Sequence, residues 1–163
     1  MKLELKKIKV NLAFSEETTQ FMAEIYANGK NIGYARNDGQ GGCTHYHPHE
    51  GQREAIRAAE EYAKTLPSEF YELGGQKHEI KMNLEYWIDK QIFDYLLAKE
   101  RAKLEKKMDT QIIIECANGT HRLMGFKGNK MKLKDMPNDM LTRLVNAAKA
   151  SLQEGDVILN KNI

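Results

Sequence analysis

A glycine-rich segment followed by histidines carries the residue types in this sequence that are best suited to chemistry. Asn37 to Cys43 reads Asn-Asp-Gly-Gln-Gly-Gly-Cys, and Thr-His-Tyr-His-Pro-His follows it. Glycines allow backbone N–H groups to converge on one anion, such as a phosphate. The segment lacks the GxxxxGK[ST] and GxGxxG spacings of the common nucleotide-binding loops. The alternative interpretation is a connection between strands, in which Asn37 and Asp38 make side-chain turn bonds.

Aromatic and basic residues stand on both sides of this loop. Tyr34 and Arg36 precede it and Tyr46 follows it. Aromatic rings stack on bases, and an arginine adds a cation that pairs with phosphate. The alternative is that these rings lie on the half-buried face of a sheet. We expect a binding site for an anionic ligand, a nucleotide or a nucleic-acid backbone, and its expected residues are Tyr34, Arg36, Asn37, Asp38, Gly39, Gly41, Gly42, Cys43 and Tyr46.

Alternation along an extended segment would place Cys43, His45 and His47 on one face. A thiolate and two imidazoles are ligands that suit Zn²⁺, so a metal-dependent hydrolase that uses these three residues is one alternative. The other interpretation is a polar run of surface histidines. No HExxH, CxxC or GxSxG motif is present, so we expect a binding protein without a catalytic set and without a cofactor.

Composition is typical of a globular protein. The chain has 163 residues, of which 41% are hydrophobic, and a net charge of +2. Residues 1–98 carry 12 basic and 15 acidic side chains (net −3), and residues 99–163 carry 13 and 8 (net +5). No apolar run is long enough to cross a bilayer, and the two cysteines are expected to be reduced. We expect one cytoplasmic domain, 1–163, that does not bind a membrane.

Period-two alternation at the start of the chain predicts β-structure. Ile8 to Phe14 alternate as a strand, and a change of phase near Lys6 and Lys7 predicts a bulge. Asn28-Gly29 predicts a type I′ hairpin turn between strands 19–27 and 30–36. On these strands Phe21, Ala23 and Ile25 are expected to share one face, and Ile32 and Tyr34 one side.

The rest of the chain alternates between helical and strand patterns. Helices are predicted from about residue 53 to Pro67, from Asn83 to Met108 with Asn83 as cap, and from Pro137 to Leu152. Residues 67–81 are predicted to be irregular, with a turn at Gly74-Gly75. Strands are predicted at 111–116, at 121–127 after Asn118-Gly119, at 130–134, and at the edge position 157–159.

These elements predict an α+β fold, with an antiparallel sheet of N-terminal strands and hairpins packed by helices and a long central helix over 83–108. Both hairpins turn on Ala-Asn-Gly, so residues 19–67 and 110–154 are interpreted as a ββα duplication. The second half of the long helix, around Leu97, Leu104 and Met108, predicts a protein–protein or homodimer contact as an alternative function.

The first 50 residues carry a pattern of Glu-Thr at 17–18, Phe21, Asn-Gly-Lys at 28–30, Ile-Gly at 32–33, and Asn-Asp-Gly with Gly-Gly-Cys at 37–43. This pattern resembles that of small uncharacterised proteins of phages and prophages. The resemblance implies a protein of a mobile genetic element that acts by binding. Such a protein would antagonise a host defence system in the host cytosol, through a nucleotide, a nucleic acid or a host protein complex.

Overall fold

The computed structural model describes residues 1–128 and 130–161, and its fold is α+β with antiparallel sheets. The chain divides into two compact units, Met1–Tyr95 and Leu96–Ile163, where the sequence predicted one domain. The main helices are α1 (Arg53–Lys64), α2 (Leu84–Met108) and α3 (Asn138–Ala150). The long helix is confirmed, and the Asn83 side chain accepts a hydrogen bond from the Tyr86 N–H at 2.8 Å as its cap. None of the helices in the described ranges is both long and apolar enough to span a membrane.

The first unit is built on a four-stranded sheet in sequential order. Its strands are β1 (Leu3–Val10), β2 (Phe21–Ala27), β3 (Lys30–Asn37) and β4 (His45–Pro48). Alternation confirms the expected buried face of β2, formed by Phe21, Ala23 and Ile25. Positive φ at Asn28 (50°) and Gly29 (83°) confirms the hairpin turn. Helix α1 packs against β3 and β4 on this buried side of the sheet.

A β-bulge shifts the pairing register on each side of β2, once in β1 and once in β3. In β1 the register shifts between Lys6 and Lys9, with Lys7 at φ 51°, which confirms the predicted change of phase. In β3 the register shifts after Asn31. Ile32 is therefore buried whereas Tyr34 lies on the opposite, open side, so the prediction that these two residues share a side was wrong.

The first strand is shorter than predicted. It ends at Val10, and Leu12–Phe14 form a 3-10 turn instead of a strand. The Asn11 side chain accepts a hydrogen bond from the Ala13 N–H at 3.2 Å, which caps that turn. This local bond competes with continued pairing and explains why alternation alone failed here.

Residues 67–81 are not irregular. They contain a hairpin of β5 (Glu69–Leu73) and β6 (Gln76–Ile80), which turns at Gly74 and Gly75 with φ 61° and 76°. Phe70, Tyr71 and Leu73 are exposed, so burial imposes no apolar alternation on these strands. The Gly-Gly pair was the available signal, since glycines permit the positive φ of a tight hairpin.

The second unit has a three-stranded sheet with β7 (Ile112–Glu115) between β8 (His121–Met124) and β9 (Val157–Ile158). The edge strand near 157–159 is thus confirmed. Helix α3 packs against β7. The core of this unit consists of Ile112, Ile114, Leu133, Met136, Leu144 and Ala148.

The strand expected at 130–134 was wrong, because Leu133–Asp135 form a 3-10 turn. The Leu133 N–H donates to the Asp109 carbonyl at 2.7 Å, so this backbone bonds to the segment after α2 instead of to the sheet. The two Ala-Asn-Gly turns also differ. Asn118 lacks the positive φ of Asn28, and Cys116 and Thr120 close a longer loop around it. The duplication stays a prediction.

Candidate ligand-binding face

The glycine loop, defined here as residues 37–43, is held by the side chain of Asn37, which is 7% exposed. Its Oδ1 accepts hydrogen bonds from the Thr18 hydroxyl at 2.8 Å and the Gly39 N–H at 2.9 Å. Its Nδ2 donates to the Gly42 carbonyl at 3.0 Å and to Thr44 Oγ1 at 3.2 Å. The amide thereby uses both donors and both acceptor positions. The hydrogen bonds of this one buried side chain therefore hold the glycine loop in place.

Backbone N–H groups do converge at this loop, but they converge on one of its own oxygens. The Gly39 carbonyl accepts from the N–H groups of Glu16, Glu17 and Thr18 at 2.9, 3.2 and 3.3 Å. Gly39 has φ 86°, and a Cβ at this position would collide with the carbonyl oxygen of Phe14. Glycine is required here because the loop docks on the 14–18 turn at close range.

Carboxylates lie on the helix side of the loop. The Thr44 hydroxyl donates to Asp89 Oδ1 at 2.5 Å, and the Thr44 N–H donates to Glu85 Oε1 at 3.1 Å. Burial raises the pKa of Asp89, Glu85 raises it further, and the Thr44 hydrogen bond opposes the shift. Both carboxylates line a cavity of about 400 Å³ together with Gly41 and Cys43. This side of the loop repels an anion.

The two tyrosines that flank the loop lie on opposite sides of the sheet. Tyr46 pairs with the buried Ala35, and its hydroxyl donates to Glu60 Oε1 at 2.9 Å. Burial and then Glu60 raise the pKa of Tyr46 to about 12. Tyr34 pairs with His47 on the open side. The structure therefore does not bring Tyr34 and Tyr46 together around one ligand.

The open side of the sheet presents two rows of side chains that cross the strands, because directly paired residues share a face. The cationic row consists of Lys9, Met22, Arg36 and His45, each paired with the next. The aromatic row consists of Lys6, Glu24, Tyr34 and His47, paired in the same way.

The cationic row contains no carboxylate. Within the described residues, neither Lys9 nor Arg36 takes part in an ion pair, and both are exposed. Met22, between them, is 53% exposed. These three side chains line a depression of about 260 Å³ together with the exposed Asp38. The row can attract a phosphate.

The aromatic row differs between its two halves. On β3 and β4 the Tyr34 ring lies 5.3 Å from the ring of His47, and His49 adds a third ring at 6.1 Å from Tyr34. On β2, Glu24 accepts a hydrogen bond from Lys7 Nζ at 3.0 Å, which is the main reason that the pKa of Glu24 is lowered. Within this row the rings therefore lie on β3 and β4. Further along β2, the half-buried Tyr26 has Lys6 Nζ 4.4 Å from its ring centroid.

The residues proposed as metal ligands do not converge. Cys43 is exposed in the loop, whereas His45 and His47 lie on the open face. A group of three His, Cys, Asp or Glu side chains able to hold a metal ion is absent from the part of the chain that the structure describes. The alternative of a metal site at these three residues therefore has no support in the structure, and Cys43 precedes β4, which begins at His45.

No protein-family model, curated protein or solved structure matches this chain. The resemblance of residues 17–43 to phage proteins stays a prediction, as does the homodimer contact at Leu97, Leu104 and Met108.

The sequence interpretation missed Lys9 and Met22 as neighbours of Arg36. The alternation that buries Phe21 and Ala23 already placed Met22 on the open side. The partner of Met22 could not be read from the hairpin turn, because the bulge in β3 changes the pairing.

Gly39→Ala is expected to destabilise the first unit by at least about 2 kcal/mol, because it combines positive φ with a backbone collision. Gly42→Ala is the matched control, since Gly42 lacks positive φ and has open space where a Cβ would lie. Its expected effect is within about 0.5 kcal/mol. Urea unfolding measures both variants, and equal midpoints would refute the docking role of Gly39.

Asp89→Asn is expected to raise the thermal midpoint at pH 7. Because the pKa of Asp89 is raised in the folded state, wild-type stability falls as the pH rises from the ordinary carboxyl pKa through the pKa in the folded protein. The asparagine keeps an acceptor for Thr44 but never becomes charged. Its advantage over wild type should therefore shrink towards pH 4, as measured by thermal scans between about pH 4 and 8.

Asp94→Asn, an exposed change on the same helix, is the control and should alter the midpoint little at any pH. A midpoint for Asp89→Asn below that of wild type at pH 7 would contradict the account of Asp89.

Proposed function

We propose that this protein binds a phosphate-bearing ligand, a nucleotide or a nucleic acid, on the open face of its four-stranded sheet, and that it acts by binding and not by catalysis. The observation that carries the proposal is the cationic row, in which Lys9 and Arg36 form no ion pair among the described residues and the paired positions contain no carboxylate. One carboxylate, Asp38, lines the depression beside the row. Tyr34 lies in the next row and adds a surface on which a base can stack.

The two cations can contact different oxygens of a phosphate-bearing ligand. Lys9 is on β1 and Arg36 is on β3, two inter-strand distances or about 10 Å apart. Arg36 offers a planar fork that binds two oxygens of one phosphate, whereas Lys9 acts as a point charge. Both are exposed, so their attraction for an anion is screened by salt.

Of the residues predicted for the site, Tyr34 and Arg36 are retained as ligand contacts, and the glycine loop has a structural role instead. Asn37, Gly39 and Gly41 use their polar groups for internal hydrogen bonds. In the proposal they hold β4 beside β3 and do not contact the ligand. An antagonist of host defence would use the same face to sequester its ligand, and that wider role depends on the resemblance to phage proteins alone.

Arg36→Gln is expected to weaken binding of a fluorescently labelled oligonucleotide about tenfold, measured by anisotropy between about 50 and 200 mM salt. The slope of log K against log salt should fall by about 0.7 to 0.9, the contribution of one phosphate contact. Lys30→Gln is the matched control, because Lys30 is an exposed cation at the hairpin turn, outside both rows.

Lys30→Gln should leave affinity and salt slope close to wild type. Saturable binding that Arg36→Gln does not weaken, or the absence of binding at the lowest salt, would refute the proposed function.

A further inference from the structure

We infer that the ligand of the open face is single-stranded nucleic acid, with its backbone along the cationic row and an unpaired base on Tyr34. This inference rests on the proposed function and narrows its ligand class. It depends on two observations that a phosphate site alone would not need, namely the parallel arrangement of the two rows and the cluster of three rings in the second row.

The distance between the two rows suits the separation between the phosphate and the base of a nucleotide. Arg36 and Tyr34 are two residues apart on β3, and His45 and His47 are two apart on β4. At about 3.3 Å per residue the rows lie about 6.6 Å apart. A nucleotide has its phosphate and its base on different sides of the sugar. A strand that crosses the sheet along the cationic row can therefore direct bases towards Tyr34.

The aromatic cluster favours unpaired bases. The Tyr34 ring is half-buried and contacts the rings of His47 at 5.3 Å and His49 at 6.1 Å, with tilts of 35° and 38°. A base in a duplex is already stacked and paired, so the duplex offers this face mainly its phosphates. An unpaired base has a free π-face that stacks on an aromatic side chain whatever its identity.

The length of the cationic row favours a polymer over a mononucleotide. The row crosses four strands from Lys9 to His45, which is three inter-strand distances or about 14 Å. Nucleotides of a duplex strand are about 3.4 Å apart along the helix axis and those of an unstacked strand are farther apart, so the row spans at most about four nucleotides. Within the aromatic row, base stacking is limited to the β3–β4 half, because the carboxylate of Glu24, paired with Lys7, occupies the β2 position. The ring of Tyr26, further along β2, already has Lys6 Nζ 4.4 Å from its centroid.

Three probes of equal length separate backbone contacts from base contacts. They are a labelled single strand of about eight nucleotides, its duplex, and an abasic single strand that keeps every phosphate. Wild type should bind the single strand about tenfold more tightly than the abasic strand or the duplex. Tyr34→Leu should lose about tenfold on the single strand and nothing on the abasic strand, whereas Arg36→Gln should lose affinity for both.

Tyr71→Leu is the matched control, because Tyr71 is another tyrosine beside a histidine ring and is exposed on the β5–β6 hairpin. It should bind every probe as wild type does. Circular dichroism and thermal unfolding check the fold of each variant. If Tyr34→Leu unfolds, Tyr34→Thr replaces it, because threonine is favoured at a half-exposed strand position.

The possible outcomes separate the single-strand inference from the proposed function on which it rests. Equal affinity for all three probes, with an effect of Arg36→Gln but none of Tyr34→Leu, would overturn the single-strand inference and leave phosphate binding intact. A free mononucleotide that binds as tightly as the octamer would also overturn it. The absence of binding to every probe would overturn both proposals.

Discussion

The buried amide of Asn37 is the interaction on which the first unit's open face depends. Where β3 ends, the chain must reverse and return as β4, and the Asn37 side chain bonds to the near and far ends of that reversal. A buried amide that loses its partners costs about 1 to 3 kcal/mol. With the loop so fixed, His45 pairs with Arg36 and His47 with Tyr34. The positions of His45 and His47, the β4 members of the two rows, therefore depend on one buried side chain.

The same loop separates two regions of opposite electrostatic character. On the helix side Thr44 binds the carboxylates of Glu85 and Asp89 through its N–H and its hydroxyl. On the open side Arg36 immediately precedes Asn37 and has Lys9 in the same row. In the proposed function an anionic ligand therefore binds the open face and not the cavity behind the loop. The glycines of this loop resemble a phosphate-binding loop in sequence, but in this fold they allow two backbone segments to approach closely.

Alternation identified the buried face of β2 and the Asn28-Gly29 hairpin, but the pairing across that hairpin could not be predicted. A regular two-residue turn would pair Met22 with Ala35, and the bulge after Asn31 pairs it with Arg36 instead. A shift of one residue exchanges the two faces of a strand. The bulge therefore decides that Tyr34 and Arg36 face solvent, and neither the Asn28-Gly29 turn nor the apolar alternation shows where it lies. At the bulge the Asn31 side chain accepts a hydrogen bond from the Gly33 N–H at 3.3 Å.

Other differences from the sequence expectations have local causes. The hairpin at 69–80 was missed because its side chains are largely exposed and show no apolar period. The Cys43, His45 and His47 set was grouped by spacing, although a strand that begins at His45 does not include the cysteine. The α+β fold and the long helix were predictable because their patterns extend over many residues.

The most direct test of this account is a map of backbone amide shifts by ¹H–¹⁵N NMR as an unlabelled single-stranded oligonucleotide is added to the whole chain. The account predicts that the largest shift changes fall on the two rows, at Lys9, Met22, Tyr34, Arg36, His45 and His47. Residues 39–42 and the first turns of α2 should change little. Changes centred on the glycine loop, on the acidic cavity behind it, or on the second unit would contradict the claim that the open face is the binding surface.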